Sequence, residues 1–512
     1  MRSHYAVLRE FLDLPTSFAK KFSKKITDAC GRKGSILLAS PVKALKSLQK
    51  LFDADIKMGA LQHGTRPLDE FSPWMAAFSS TDFKDAPIEM PGIANQRLPP
   101  NNRVTIAGFK QSVLVLSSMR RPKKLTIIGS DGIEYPFLVK AGEDLRLDQR
   151  VESLFETMNG IVKSNPACAE LGTTCETYSV FPLTKSLGII EWVKDTKPLR
   201  LCIMDTPNFH KQNSAAQKKY MQFLSKHGTG VVDTYWNIFK EKEERVVDNM
   251  RLMCEITKER TIHNFFSNLA VSTESYLHLR LKFIKSLAAL NICSYVLGIG
   301  DRHSENYLID LSTGKLVGID FGHAFGSATE VLPVPELVPF RHTNQLDLFL
   351  RPLGPSVMLQ DSMVAILTAL RMKKEQLATV LAIFVSEPLT EWKRFAKKLH
   401  SGDMDQDQEM HYSGNEADSV PPWYPKRKMQ VILDKLQGIN PAFITVQELE
   451  WAHADKPLLK YAQQVARGSE SHIRRNTPRI CATVKDQVRC LIDQASDPSI
   501  LGRAWIGWAG WC

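Results

Sequence analysis

"GIGDRHSENYLIDLSTGKLVGIDFGHAFGS", residues 298–327, decides how the rest of the chain is read. Within it "YLID" and "KLVGID" are short apolar, partly β-branched runs separated by "LSTG", a turn-forming cluster ending in glycine. The pattern predicts a β-hairpin. With Tyr307 to Asp310 paired against Lys315 to Ile319, antiparallel geometry is expected to set Asn306 and Asp320 opposite each other at the open end. A carboxylate and an amide there supply oxygen-only ligation. That suits Mg²⁺, a hard cation that keeps waters and takes further oxygens from phosphates, with Mn²⁺ as the alternative ion. Asp301 lies in the loop feeding the first strand, five residues before Asn306.

The composition fits a large globular chain. At 512 residues and 43% hydrophobic content it has ample material for sizeable cores, about three domains' worth on length alone. No stretch predicts a membrane span: "SLAALNICSYVLGIG" (286–300) is short, contains Asn291 and lies between Lys285 and Asp301, which predicts a buried helix. The N-terminus, "MRSHYAVLREFLDL", is charged throughout and lacks the apolar core of a signal peptide. Nine cysteines are scattered with no C-x-x-C pair, which argues for a reducing compartment and against disulfides or structural zinc. The net charge of +11 is uneven, because residues 1–50 carry eleven Lys/Arg against three Asp/Glu. Two readings of that run stay open: an electrostatic patch for nucleic acid, or a solvated helix face, since Phe18, Phe22 and Ile26 recur at helical spacing.

From Asn102 the pattern changes to strands, "RVTIAGF", "SVLVLSS" and "KKLTIIGSDGIEYPFLVK", with Gly129 and Gly132 framing a turn and the last run ending at Lys140. Val151, Leu154, Phe155, Met158 and Ile161 then follow helical spacing. The lead into that helix carries Glu143 and Asp148, either of which is placed to hold Lys140 extended. "TYSVFPLTKSLGIIEWV" gives two more strand-like runs ending at Glu191, Trp192 and Val193, and Trp74 in "SPWMAAF" reads as a core anchor. Residues 400–420 hold six acidic residues and no Lys or Arg and read as an exposed loop. It is no calcium loop, because Gln408 and Gly414 stand where that loop needs Gly and Glu.

The order Asp301, Asn306, then Asp320-Phe321-Gly322 resembles the catalytic loop and metal motif of kinases. Conventional protein kinases read H-R-D. The order Asp301-Arg302-His303, with "DFGHAFGSATEVLPVPELVPFR" and "FLVKAGEDLRLDQR", instead resembles the phosphatidylinositol 3-kinase-related protein kinases, departing at Leu147 where that family usually has Gln. The resemblance implies an α+β, two-lobed protein-kinase-like fold: a small β-rich N-lobe and a large helical C-lobe, with a helical N-terminal extension and a short FATC-like helical tail. The expected divisions are a helical region at 1–86, a linker at 87–101, the N-lobe at 102–193, the C-lobe at 194–440, a helical connector at 441–479 and the tail at 480–512.

The resemblance also distributes roles. Asp301 is implied as catalytic base. His303 either contacts the transferring phosphoryl group or braces the loop. Asn306 and Asp320 are implied as metal ligands, and Lys140 as the grip on ATP with Glu143 or Asp148 as its partner. Ser117, Ser118 and Met119 are implied over the phosphates, Trp192 and Val193 at the hinge, and Leu308 and Ile319 beneath the adenine. The segment 323–340 has no Lys or Arg but carries Glu330 and Glu336, which fits a protein substrate better than an anionic inositol lipid. The family further implies phosphorylation of Ser or Thr followed by Gln. It also implies a nuclear role in double-strand-break repair by end joining, with the Ku heterodimer and DNA ends as partners, although the helical-repeat region that docks them is expected to be largely missing from these residues. A phosphoinositide lipid kinase and a catalytically silent scaffold are the two alternatives.

Overall fold

The computed structural model describes residues 17–31, 35–58, 63–92, 97–118, 120–206, 208–352, 358–386, 423–468 and 479–512. Met119 and the acidic stretch 400–420 lie outside them. The chain divides into two compact units, Met1–Leu145 with Tyr178–Trp192, and Arg146–Thr177 with Val193–Cys512.

The first unit is built on an antiparallel sheet of seven strands: β1 (Gly64–Pro67), β2 (Ile106–Phe109), β3 (Ser112–Val115), β4 (Lys123–Gly129), β5 (Glu134–Ala141), β6 (Val180–Thr184) and β7 (Leu187–Glu191). Their order is β1-β3-β4-β5-β7-β6, with β2 also on β4. Alternation along β3 and β4 turns Val113, Leu125 and Ile127 inward, where they join Leu68, Met90, Phe109 and Phe137 in one core. Residues 1–86 were expected to be helical, yet β1 pairs with β3, Gly64 facing Val115. It is a four-residue edge strand ending in Pro67, too short to show a period and placed where proline costs no ladder bond. The supposed linker is partly core as well, since Met90 is buried and its N–H donates to Val104 O at 2.8 Å. Trp74 is the reverse case: 44% exposed, it leans on Phe78 with ring centroids 5.4 Å apart rather than anchoring the core. In the basic N-terminal run the helix Ser17–Cys30 buries Phe22 and Ile26 and leaves Lys24 and Lys25 exposed, a solvated face over an apolar one.

The second unit is mostly helical. Its longest helix, Thr273–Leu297, starts with a reciprocal capping box between Ser272 and Ser275 and ends at Gly298, whose φ of +61° is the left-handed cap that glycine adopts without strain. Residues Ser286 to Leu297 of this helix are all buried, as the apolar run predicted. Beside it, β8 (Thr196–Pro198), β9 (Tyr307–Asp310) and β10 (Leu316–Gly318) form a small sheet in the order β10-β9-β8. Ser286 Oγ accepts the Leu316 N–H at 2.8 Å, which pins the hairpin to the buried helix. The helix Arg146–Ser164 packs in this unit against Met358–Met372 and Lys374–Ser386, although its residues fell within the stretch assigned to the N-lobe. Among the described residues no helix is long and apolar enough to cross a membrane. All nine cysteines are free thiols.

Candidate active site

The hairpin forms where the sequence set it, but its register is one residue off the expectation. The turn closes with Asp310 N donating to Lys315 O at 2.9 Å, while the Asp310 carboxylate accepts from the Ser312 and Thr313 N–H groups. That closure pairs Tyr307 with Gly318, so Asn306 stands across from Ile319, whose N–H donates to Asn306 O at 3.0 Å. Asp320 is therefore the first residue past Asn306's partner, and its φ of +61° turns it out of the ladder. Leu308 and Ile319 share a face of the hairpin and are half-buried, between the buried Tyr307, Ile309 and Gly318.

Upstream, the catalytic-type loop is tied to this hairpin from within. Asn306 Nδ2 donates to Asp301 O at 2.9 Å, which fixes the amide with its oxygen as the remaining pole. An amide oxygen so turned, with the exposed Asp320 carboxylate nearby in the chain, is the hard-donor chemistry that Mg²⁺ requires. Arg302 is 2% exposed and donates to Gly300 O, Ile319 O and Asp320 O, so it is a brace that welds the loop to the segment after β10. His303 Nδ1 accepts the Glu305 N–H at 3.3 Å, leaving the proton of the neutral ring on Nε2. Burial holds this imidazole below its ordinary range, with the Asp301 charge opposing the shift.

In the smaller unit, Lys140 lies on β5 opposite Gly188, with its Nζ 3.6 Å from Glu143 Oε2. The same carboxylate is 2.9 Å from Arg120 Nε, and Arg120 also donates to Gly142 O. Glu143 thus joins Lys140 to the turn between β3 and β4, the turn that carries the exposed Ser117 and Ser118. Arg120 escaped sequence reasoning because a basic turn between strands is commonplace. Trp192, half-buried, donates its N–H to Pro136 O at 3.1 Å and has Lys124 Nζ over its ring, 4.2 Å from the centroid. Val193, which opens the second segment of the second unit, is half-buried and its carbonyl accepts from Thr196 Oγ1 at 3.0 Å. In that unit too, the buried Asp148 accepts the Phe321 N–H at 3.1 Å, an anchor on the residue after Asp320. Leu147, the departure from the family pattern, is 2% exposed and spends its apolar side chain in the core.

Two residues that sequence reasoning did not place at the site touch Asp301 directly. Trp508 Nε1 donates to Asp301 Oδ1 at 2.9 Å, and Glu336 Oε2 accepts the Asp301 N–H at 2.6 Å. Glu330 and Glu336, the two acidic residues of the segment 323–340, are buried, 1% and 4% exposed. Glu330 is consumed by ion pairs with Lys428 and Arg427. The end of that segment is clamped to the tail: Arg341, buried, donates to Cys512 O at 2.5 Å and Ala509 O at 3.4 Å. Trp511 donates to Asn213 Oδ1 at 2.9 Å, and burial pushes the Cys512 thiol up to about 12. The three tail tryptophans therefore differ in use: Trp511 packs, Trp505 tilts against Tyr235, and Trp508 reaches the loop.

The family described as "Phosphatidylinositol 3- and 4-kinase" matches residues 134–394, and the FATC domain matches residues 481–512. The chain belongs to the phosphatidylinositol 3- and 4-kinase family, with a two-lobed kinase fold and a FATC tail. Within it, the chain is 40% identical over 468 residues to the DNA-dependent protein kinase catalytic subunit of Dictyostelium discoideum, covering 86% of this chain and 11% of that protein. Against the subunit of the same name from Xenopus laevis it is 36% identical over 520 residues, 96% of this chain and 12% of that one. The serine/threonine-protein kinase TOR of Arabidopsis thaliana is 30% identical over 321 residues, 61% of this chain and 12% of that protein. The chain thus spans little more than a tenth of the length of these relatives. In fold it resembles the structure titled "FAT and kinase domain of CtTel1", with a TM-score of 0.65 at 23% identity, covering 96% of this chain and 30% of that one.

Proposed function

We propose that the chain is a serine/threonine protein kinase that transfers the γ-phosphate of ATP to protein substrates, serving double-strand-break repair by end joining in the nucleus. The observation that supports this most directly is the loop and hairpin that carry Asp301, His303, Asn306 and Asp320 as one hydrogen-bonded unit. Phosphoryl transfer asks the protein mainly for positioning and charge. Asp301 orients the substrate hydroxyl and accepts its proton at the carboxylate oxygen that Trp508 does not engage. His303 donates from Nε2 toward the moving phosphoryl group. Lys140, extended by Glu143, grips the nucleotide phosphates. Asn306 and Asp320 would hold Mg²⁺, which when bound offsets the phosphate charge. A protein substrate is favoured over an inositol lipid because 323–340 contains no Lys or Arg to meet a phosphorylated headgroup. DNA ends and the Ku heterodimer are the proposed activators, by resemblance to the DNA-dependent kinases.

The test is Mg²⁺-dependent transfer from ATP to a Ser-Gln peptide, with and without linear DNA and Ku, beside vesicles of phosphatidylinositol lipids. Transfer to peptide that is lost in Asp320→Ala supports the proposal. Transfer to lipid alone favours the lipid kinase, and ATP binding without turnover favours the scaffold.

A further inference from the structure

Asp301 has a φ of +56°, a left-handed backbone that a non-glycine residue keeps only when its surroundings hold it there. One of the holds is the side chain of Glu336, 35 residues away, which accepts the Asp301 N–H. We propose that Glu336 is a positioning residue for Asp301 and that its protonation loosens the loop and slows phosphate transfer, an inference that rests on the kinase reading above.

The contact is built rather than incidental. Glu336 is 4% exposed, its carbonyl accepts from Thr329 Oγ1 at 2.7 Å, and its N–H donates to Ala328 O at 3.4 Å, so the backbone behind the carboxyl is fixed. Residue 300 is glycine, and a Cβ there would stand 2.5 Å from Glu336 Oε2, so only glycine lets the carboxyl reach the amide. The charged and titratable groups facing Glu336 are Asp301 and Arg302 from the loop, Tyr307 from β9 and Arg341 from the end of its own segment. Lys435 and Glu448 face it from the helices Trp423–Gln437 and Pro441–Ala452. Burial dominates over all of them and pushes the Glu336 carboxyl up to about 7, with the Asp301 charge adding to the shift and the Asp301 N–H and the two arginines opposing it. A cavity of about 40 Å³ borders the carboxyl, space enough for water to exchange a proton without unfolding. An ionised acceptor bonds an amide roughly twice as strongly as a neutral one, so the carboxylate holds Asp301 and the carboxylic acid releases it.

The experiment is the initial rate of Mg-ATP transfer to a Ser-Gln peptide between about pH 5.5 and about pH 8.5 for the unsubstituted chain and for Glu336→Gln. Taking the ratio of the two rates at each pH removes the titration of ATP and peptide. Glutamine keeps an acceptor oxygen and cannot titrate. The unsubstituted chain is expected to lose about fivefold to tenfold in kcat relative to the variant from about pH 8 to about pH 6, at unchanged KM for ATP. Glu336→Asp keeps the charge but withdraws the oxygen, and is expected to be slow at every pH. It carries the test should Glu336→Gln fail to melt cooperatively. A ratio constant with pH, or a Glu336→Asp variant as fast as the unsubstituted chain at high pH, overturns the inference while leaving the kinase reading intact. An unsubstituted chain that transfers no phosphate at any pH defeats both.

Discussion

Replacing Trp508 by phenylalanine removes one hydrogen-bond donor and keeps an aromatic ring in the tail. The indole N–H lies 2.9 Å from Asp301 Oδ1, and Trp508 is 9% exposed, so no water stands ready to take its place. A hydrogen bond to an ionised group contributes about 1.5–3 kcal/mol, and the half-buried setting of Asp301 selects the lower end. Losing about 1.5–2 kcal/mol of orientation in the transition state lowers kcat by about 10- to 30-fold. The KM for ATP should hold, since the contact bears on Asp301, the proposed base, and not on the proposed nucleotide and metal contacts Lys140, Asn306 and Asp320. Trp505→Phe is the matched control: Trp505 is 37% exposed and tilts against Tyr235 at 5.1 Å, so its loss should stay within about twofold. Both variants are assayed for peptide phosphorylation at saturating ATP, with thermal melting measured in parallel. Equal rates for the two at equal melting temperatures would refute the idea that the indole N–H orients Asp301.

Glu143→Gln weakens a pairing shared by Lys140 and Arg120, both partly exposed, so it should raise the KM for ATP about fivefold, near 1 kcal/mol, and nucleotide titration by fluorescence would detect it. Arg341→Met leaves the carbonyls of Cys512 and Ala509 without their buried donor and should cost about 3 kcal/mol of stability, read from the denaturation midpoint, with the tail becoming sensitive to limited proteolysis. Stability should also report Glu336. Its carboxyl keeps a proton to about 7 in the folded chain against an ordinary value of 4.5, so folding takes up a proton between those values. The folded state then loses stability as pH rises through that window, by up to about 3 kcal/mol, and Glu336→Gln should flatten the decline in a series of urea melts.

What the sequence disclosed was local. The hairpin, the buried helix ahead of it and the strand bearing Lys140 announced themselves through periods of two and 3.6 and through turn residues a few positions apart. The register did not. Whether Asn306 faces Ile319 or Asp320 depends on how Asp310 caps its turn, and a shift of one residue leaves the letters unchanged. β1 escaped for a related reason, being an edge strand of four residues with no room for a period. The groups on Asp301 escaped for a different one. Glu336 is 35 residues away and Trp508 is 207, and no periodicity links positions so far apart.

The acidic residues after the D-F-G motif show what burial demands at such distances. Glutamate is seldom fully buried, yet Glu330 and Glu336 are 1% and 4% exposed. A buried carboxylate must be paired or hydrogen-bonded, so once the two are inside, each must have a partner that the segment itself does not supply. Lys428 and Arg427 supply it for Glu330, and the Asp301 amide supplies it for Glu336. With Arg341 fastened to Cys512 and Trp508 fastened to Asp301, the segment, the loop and the tail form a closed circuit of hydrogen bonds. Cutting any one of these bonds should therefore be felt at Asp301, and a tail variant and a segment variant combined should cost less than the sum of their separate losses.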